Sequence, residues 1–294
     1  MASSERTQSD VDRIAEGWVD TLVELNPAVG TYIGRPSADD RLADYSPDGH
    51  ERSIEAIRST LRALRAAEPA DDIDRITVAD LGSELALELE GDEARLHLRD
   101  LNVIASPAQE IREVFDLMPT DSRDDWERIA TRLGDVPRAI DGYIATLRAG
   151  AAEGVVPAVR QVREVAAQAH RIAKPDGFFA TFAEQAKAGD EQLAEPLRGE
   201  LERAAAGAAS AYGTLAAFLE GELQRSRASA TGSAETSTRC GRATSSAPSS
   251  TSMRPTSGAS RNAIASATDA PGRISRAMDS CSATMRASSS MPHS

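Results

Sequence analysis

Histidine and cysteine are scarce in this sequence, so their neighbours decide what chemistry they could do. There are four histidines, His50, His97, His170 and His293, and two cysteines, Cys240 and Cys281. A helical zinc-hydrolase motif places two histidines four residues apart, so that both rings face one ion, with glutamate directly after the first as general base. Only His50 is followed by glutamate, Glu51, and Ile54 occupies the place of the second histidine. His97, His170 and His293 precede Leu98, Arg171 and Ser294, so none of them begins the motif. His97 has Leu101 at the fourth position onward and reads as an ordinary surface or hydrogen-bonded histidine. His170 ends an apolar helical face and reads as a cation near a helix C-terminus, with a substrate contact as the alternative.

Asp44, Ser46, Asp48, Gly49 and Glu55 match positions 1, 3, 5, 6 and 12 of a calcium-binding EF-hand loop. Pro47 inside the loop, and Glu51 where a hydrophobic anchor belongs, favour a turn followed by a capped helix instead. There is no GxSxG elbow, Walker loop or GxGxxG cradle. Paired carboxylates are conceivable, yet acidic residues on helix surfaces ordinarily serve solvation and i,i+4 pairing. No catalytic, cofactor-binding or metal-ligating residue is therefore nominated.

The elements that would position any site are helical. The central stretch runs from Leu101 to Trp126: Ser106-Pro107 is a helix entrance, and Ile111, Val114, Phe115 and Met118 recur at helical spacing. Pro119-Thr120-Asp121 stops that helix, and Ser122 or Asp121 caps the next. Upstream, Val11 to Val23 form a stripe that includes Trp18, which reads as core in preference to a binding platform. Thr31 to Tyr45 reads as a loop, and Ser46-Pro47 opens a helix carrying Ile54, Ile57, Leu61 and Leu64. A third helix starts near Asp71 or Asp74 and loses its pattern at Glu90-Gly91. Downstream, the spacing predicts a helix closed by Gly134, another opened by Asp135-Val136-Pro137, and one opened by Val156-Pro157. Phe178, Phe179 and Phe182 either fill a gap between helices or line a pocket. A long Ala-rich helix is predicted from Asp190 to about Gln224. The fold class is all-α, a multi-helix array of antiparallel helices, with a disordered C-terminal tail.

Several short motifs in order carry a resemblance. They are Pro27-Ala28-Val29-Gly30, Arg41-Leu42-Ala43-Asp44-Tyr45-Ser46-Pro47 and Ser106-Pro107, followed by Phe115-Asp116-Leu117-Met118-Pro119 and Trp126, then Val136-Pro137, Gly142-Tyr143 and Gln161-Val162. Over residues 10–224 the chain resembles the N-terminal part of domain-of-unknown-function family 885, bacterial proteins similar to zinc metallopeptidases. The resemblance implies a peptide-like substrate and a zinc ion in complete family members, held by an HExxGHH-like motif in the C-terminal half. It implies no metal or cofactor for this chain, which lacks that motif.

Composition divides the chain at Arg225. Residues 1–225 carry a formal charge of −18, whereas residues 226–294 carry +5 from eight arginines and three acidic residues. The acidic body repels phosphate and anionic lipid, which disfavours nucleic acid and membrane surfaces as partners. The N-terminus lacks a basic start and apolar run, and nothing before Cys240 could form a disulfide, so the expectation is a cytoplasmic body. Residues 226–294 contain nineteen serines and, of the large apolar residues other than methionine, only Ile264 and Ile274. Burial there cannot offset the ordering entropy of ~1–2 kcal/mol per residue. The abrupt change, with both cysteines and four of the six methionines beyond it, favours out-of-frame translation over a natural tail. An arginine arm for nucleic acid would be feeble at this charge density. Two functions follow: the helical wall of a metallopeptidase-like protein, inactive alone and self-associating through exposed apolar helix faces, or a non-catalytic helical interaction protein.

Overall fold

The computed structural model describes residues 6–35, 40–189 and 191–225. The tail, and with it the disorder and reading-frame expectations, lies outside the described residues. Among the described residues the architecture is all-α, with a single two-residue hairpin.

Three helices form the first packing unit. α1 (Asp10–Leu25) is capped by Ser9, which accepts from Asp12 N–H at 3.0 Å while the Asp12 carboxylate accepts from Ser9 N–H at 2.9 Å. After the short α2 (Pro27–Tyr32), which takes the first two residues of the expected loop, α3 (Pro47–Ala66) starts at Ser46. Ser46 Oγ accepts from Gly49 N–H, and Asp44 accepts from Ser46 N–H and pairs with Arg52, so these residues build a cap and not a loop around calcium. α4 (Asp72–Glu93) is capped by Asp71 and runs back along α3. Val11, Ile54, Ile57, Leu61, Leu64 and Leu85 form the core of this unit, and Trp18 packs against it as the spacing predicts. Buried Asp74 ties the unit to the N-terminus, pairing with Arg6 and accepting from Ser9 Oγ and Ala70 N–H, each of the latter two at 2.8 Å.

The second unit surrounds two long helices. α5 (Pro107–Glu113) ends in a 3-10 turn, Val114–Asp116, and α6 (Arg123–Ala152) follows with Ser122 as its cap. Then come α7 (Val159–Ile172), α8 (Phe178–Glu184), the hairpin of β1 (Lys187–Ala188) and β2 (Glu191–Gln192), and α9 (Leu197–Phe218), which continues as a π-helical turn, Leu219–Leu223. α6 and α9 pack against each other along their length, burying Ile129, Leu133, Ile140 and Leu147 from one side and Leu201, Ala208, Tyr212 and Leu215 from the other.

Two predicted boundaries are corrected. α6 is continuous through Gly134 and Pro137, because Val136, Ala139 and Ile140 are all fully buried and tertiary packing outweighs one lost ladder bond. Asp135, which resembled a cap, instead accepts from the Leu42 N–H at 2.8 Å. The Ala-rich helix begins at Leu197 and not near Asp190, because the residue before a proline disfavours helical backbone and Pro196 follows Glu195. The apolar position Leu193 is buried all the same.

Candidate functional site

Two places bring chemically useful groups together. The first is a groove of about 460 Å³ where α5, α7 and α8 converge. Its position follows from the Ser106 entrance: Ser106 N–H donates to Gln109 Oε1 at 3.1 Å, and the Gln109 amide donates to Gln168 of α7 at 2.6 Å. Gln168 in turn donates to the Val103 carbonyl at 3.1 Å, so the two amides fix the spacing between α5 and α7. Arg112 lies over the Phe178 ring at 3.9 Å and pairs with Asp116. Glu113, Arg171 and Asp176 complete a rim of both signs over a floor that includes Val165 and Ala169. Below them Tyr212 is fully buried and donates to the Ala108 carbonyl at 2.8 Å, and burial raises its phenol pKa. The phenylalanine cluster does both jobs envisaged for it. Phe179 is buried between Phe115 and Tyr212, while Phe178 lines the groove.

Glu110, on the same short helix, faces away from this groove toward Tyr45, whose hydroxyl stands 3.5 Å from Glu110 Oε2. Burial first, then the charges of Asp100 and Glu113, push its carboxyl up to about 7, against the opposing effect of the Tyr45 bond. A carboxyl titrating there is poised as a base, but the groove lining does not include it.

The second place is at the open end of the α3–α4 hairpin. His50 in the first turn of α3, Asp92 in the last turn of α4 and His97 in a 3-10 turn, Leu96–Arg99, offer three ligand-type atoms within 4.8 Å of one another. His50 Nε2 lies 2.9 Å from Asp92 Oδ1, and the two imidazoles stack at 3.6 Å. His97 departs from its expected role: its Nδ1 is buried without a hydrogen-bond partner, 3.8 Å from Asp92 Oδ1. An unpaired buried polar atom costs about 1–3 kcal/mol. Burial, and then the neighbouring His50, lower the His97 pKa to about 4 against the pull of Asp92. The turn is placed by Arg95, which adopts left-handed backbone at φ 54° and pairs with Glu153 at 2.5 Å. It is also placed by Gly150 of α6, where a Cβ would stand 2.4 Å from the Leu98 carbonyl oxygen. His170, by contrast, sits at the end of α7 and meets Glu220 at 3.1 Å.

The comparisons with known proteins fit this framework. A model for a bacterial protein family matches residues 27–265, most of the chain. The chain belongs to the family described as "Bacterial protein of unknown function (DUF885)". The DUF885 match continues past Arg225, where composition changes. No curated protein matches the chain. A solved structure described as "the putative lipoprotein from Colwellia psychrerythraea" has the same fold at TM-score 0.60 and 15% identity. The likeness covers 74% of this chain and 42% of that one, so this DUF885 chain spans well under half of its structural neighbour. The HExxGHH-like zinc motif that the resemblance implies for the C-terminal half of complete family members is not found among the described residues, where His50-Glu51 is followed, at the place of a second histidine, by Ile54, buried in the core of α1, α3 and α4. Among the described residues no helix is long and apolar enough to cross a membrane.

Proposed function

We propose that these helices form the substrate-flanking part of a zinc metallopeptidase-like protein, and that the α5–α7–α8 groove receives a short peptide by its charged ends. The observation that carries this reading is the groove's lining. Arg112 and Arg171 suit a terminal carboxylate, Glu113 and Asp176 a terminal ammonium, and the Gln109–Gln168 pair can exchange its mutual bond for bonds to a peptide amide. Its volume falls among those of small-ligand pockets, roughly 300–1,000 Å³. The chain's role in this proposal is to bind and orient; no hydrolytic step is assigned to its residues, and zinc belongs to complete family members.

Calorimetric titration with a tripeptide, its C-terminally amidated form and its N-acetylated form tests the reading. The free tripeptide is expected to bind, with each blocked form, and the Arg112→Ala protein, at least about tenfold weaker. Absence of binding by every peptide, or equal binding to Arg112→Ala, would overturn it.

A second reading, a helical interaction protein, is favoured by one feature. Ile73, Ile76 and Leu87 of α4 are 55%, 67% and 45% exposed, and they lie along one helical face with Asp80 and Ser83. Sedimentation of the chain beside an Ile73→Ser/Ile76→Ser variant tests this face as an interface; because the helical-wall reading also expects self-association through exposed apolar faces, the tripeptide titration separates the two readings. Self-association lost in the variant supports an interface there, and identical behaviour counts against it. The cytoplasmic location is likewise a proposal, resting on the N-terminal sequence, and cell fractionation tests it. The out-of-frame origin of residues 226–294 is tested by the genomic DNA after codon 225. The family match as far as residue 265 weighs against it.

A further inference from the structure

Three side chains from separate elements, His50, Asp92 and His97, bring two imidazole nitrogens and one carboxylate oxygen within 4.8 Å of one another. This donor set suits divalent first-row ions of the zinc type, for which two histidines and a carboxylate are an established combination. The distances agree with the chemistry. Bonds of about 2.0–2.1 Å in a tetrahedron separate neighbouring ligand atoms by about 3.3 Å, and the 2.9 Å and 3.8 Å separations at Asp92 Oδ1 bracket that edge. The two rings stack nearly parallel, 20° apart, so one of them turns about its side-chain bonds before the in-plane lone pairs of both nitrogens converge on one ion.

Three further observations support a cation here over a plain hydrogen-bonded cluster. His97 Nδ1 is buried and unsatisfied, and ligation would satisfy it. Asp92 stands in the last turn of α4, where the helix end already carries partial negative charge, an unfavourable place for a carboxylate that a cation would make favourable. Arg58 approaches Asp92 through Oδ2, at 3.4 Å, leaving Oδ1 to the two histidines. All three side chains are between one fifth and one third exposed, so an ion could enter and keep a water as its fourth ligand.

We propose that His50 Nε2, Asp92 Oδ1 and His97 Nδ1 bind one divalent transition-metal ion, which pins the open end of the α3–α4 hairpin to the turn seated on α6. The site is remote in sequence from the groove residues of α5, α7 and α8, and it is independent of the peptide reading. Its donors belong to α3, α4 and the Leu96–Arg99 turn, and it involves none of the histidine-glutamate spacing of a zinc-peptidase helix.

The test uses the full chain, stripped of metal by chelator and with Cys240 and Cys281 alkylated. Zn²⁺ is titrated by calorimetry, and Co²⁺ is followed by its visible ligand-field absorption. One ion per chain is expected, with thermal stability rising as Zn²⁺ is added. His50→Ala and His97→Ala are each expected to weaken binding at least about tenfold, and His170→Ala to leave it unchanged. Binding weaker than about 1 mM, or equal binding in all three variants, would overturn the proposal. Should a variant fail to fold, carbethoxylation of the unaltered chain mapped by mass spectrometry decides. Protection of His50 and His97 by Zn²⁺, with His170 still modified, supports the site, and equal modification with and without Zn²⁺ refutes it. Peptide titrations run in chelator test the groove separately.

Discussion

The unit of α1, α3 and α4 and the unit of α5 to α9 draw on the same aliphatic residues but spend them differently. In α6, a 30-residue helix, thirteen residues are buried, among them Arg132, whose guanidinium donates to the Arg41 carbonyl and to Thr31 Oγ1, each at 2.9 Å. In α4, a 22-residue helix, only Asp74 and Leu85 are buried, while Ile73 and Ile76 face outward. A helix surrounded by partners needs small or apolar residues on several sides, as α9 has. A helix with partners on one side keeps a face for something else. Ligand-type groups follow the same division: the groove lies inside the larger unit, and the histidine cluster lies where the smaller one meets it.

Variants can sharpen this contrast, beginning with the strongest. Leu133→Ala, at a fully buried position of α6, is expected to cost about 2–5 kcal/mol and to lower the melting temperature of the whole chain. A loss confined to α5–α9, with α1, α3 and α4 intact by hydrogen exchange, would show the units to be less coupled than their packing implies. Gly150→Ala places a methyl against the Leu98 and Val155 carbonyl oxygens and should cost about 1–3 kcal/mol. It should also displace the turn that carries His97, visible as altered His97 ring shifts.

Glu110 gives a pH dependence whose sign can be worked out. Its folded pKa, about 7, lies above the ordinary 4.5, so the folded state holds a proton that the unfolded state has released. The contribution is complete below about 4.5 and is lost as pH rises toward 7. Glu110→Gln should therefore gain stability relative to the unaltered chain over that window, as read by denaturant titrations at pH 4.5 and 7.5. A constant difference would contradict the raised pKa. The smallest effect is expected on the outer face of α4, where Ile76→Ser should change stability by no more than about 0.5 kcal/mol. Any larger loss would mean that this face is covered within the chain.

Much of the scaffold was legible because it is local. Ser46, Asp71, Ser106 and Ser122 start helices by side-chain chemistry that acts across three residues, and the stripes of Ile54–Leu64 and Ile111–Met118 point to the cores they fill. Pro137 and Asp135 misled because their roles depend on α9 and on Leu42, contacts that no local window contains. The histidine cluster was invisible to motif spacing, since 42 residues separate His50 from Asp92. One signal could have revealed it. Helices of 20 and 22 residues joined by a short link must bring the start of the first beside the end of the second. The groove was half legible: the phenylalanine cluster offered a possible pocket lining, while Gln109 and Gln168, which meet across the groove, stand 59 residues apart on separate helices.

The division of labour between the two units is tested most directly by hydrogen exchange and mass spectrometry with and without a saturating tripeptide bearing free ends, in the presence of chelator. The account predicts slower exchange confined to α5, α7 and α8, around Gln109, Arg112 and Gln168. Protection centred on α4, or no protection anywhere, would contradict it.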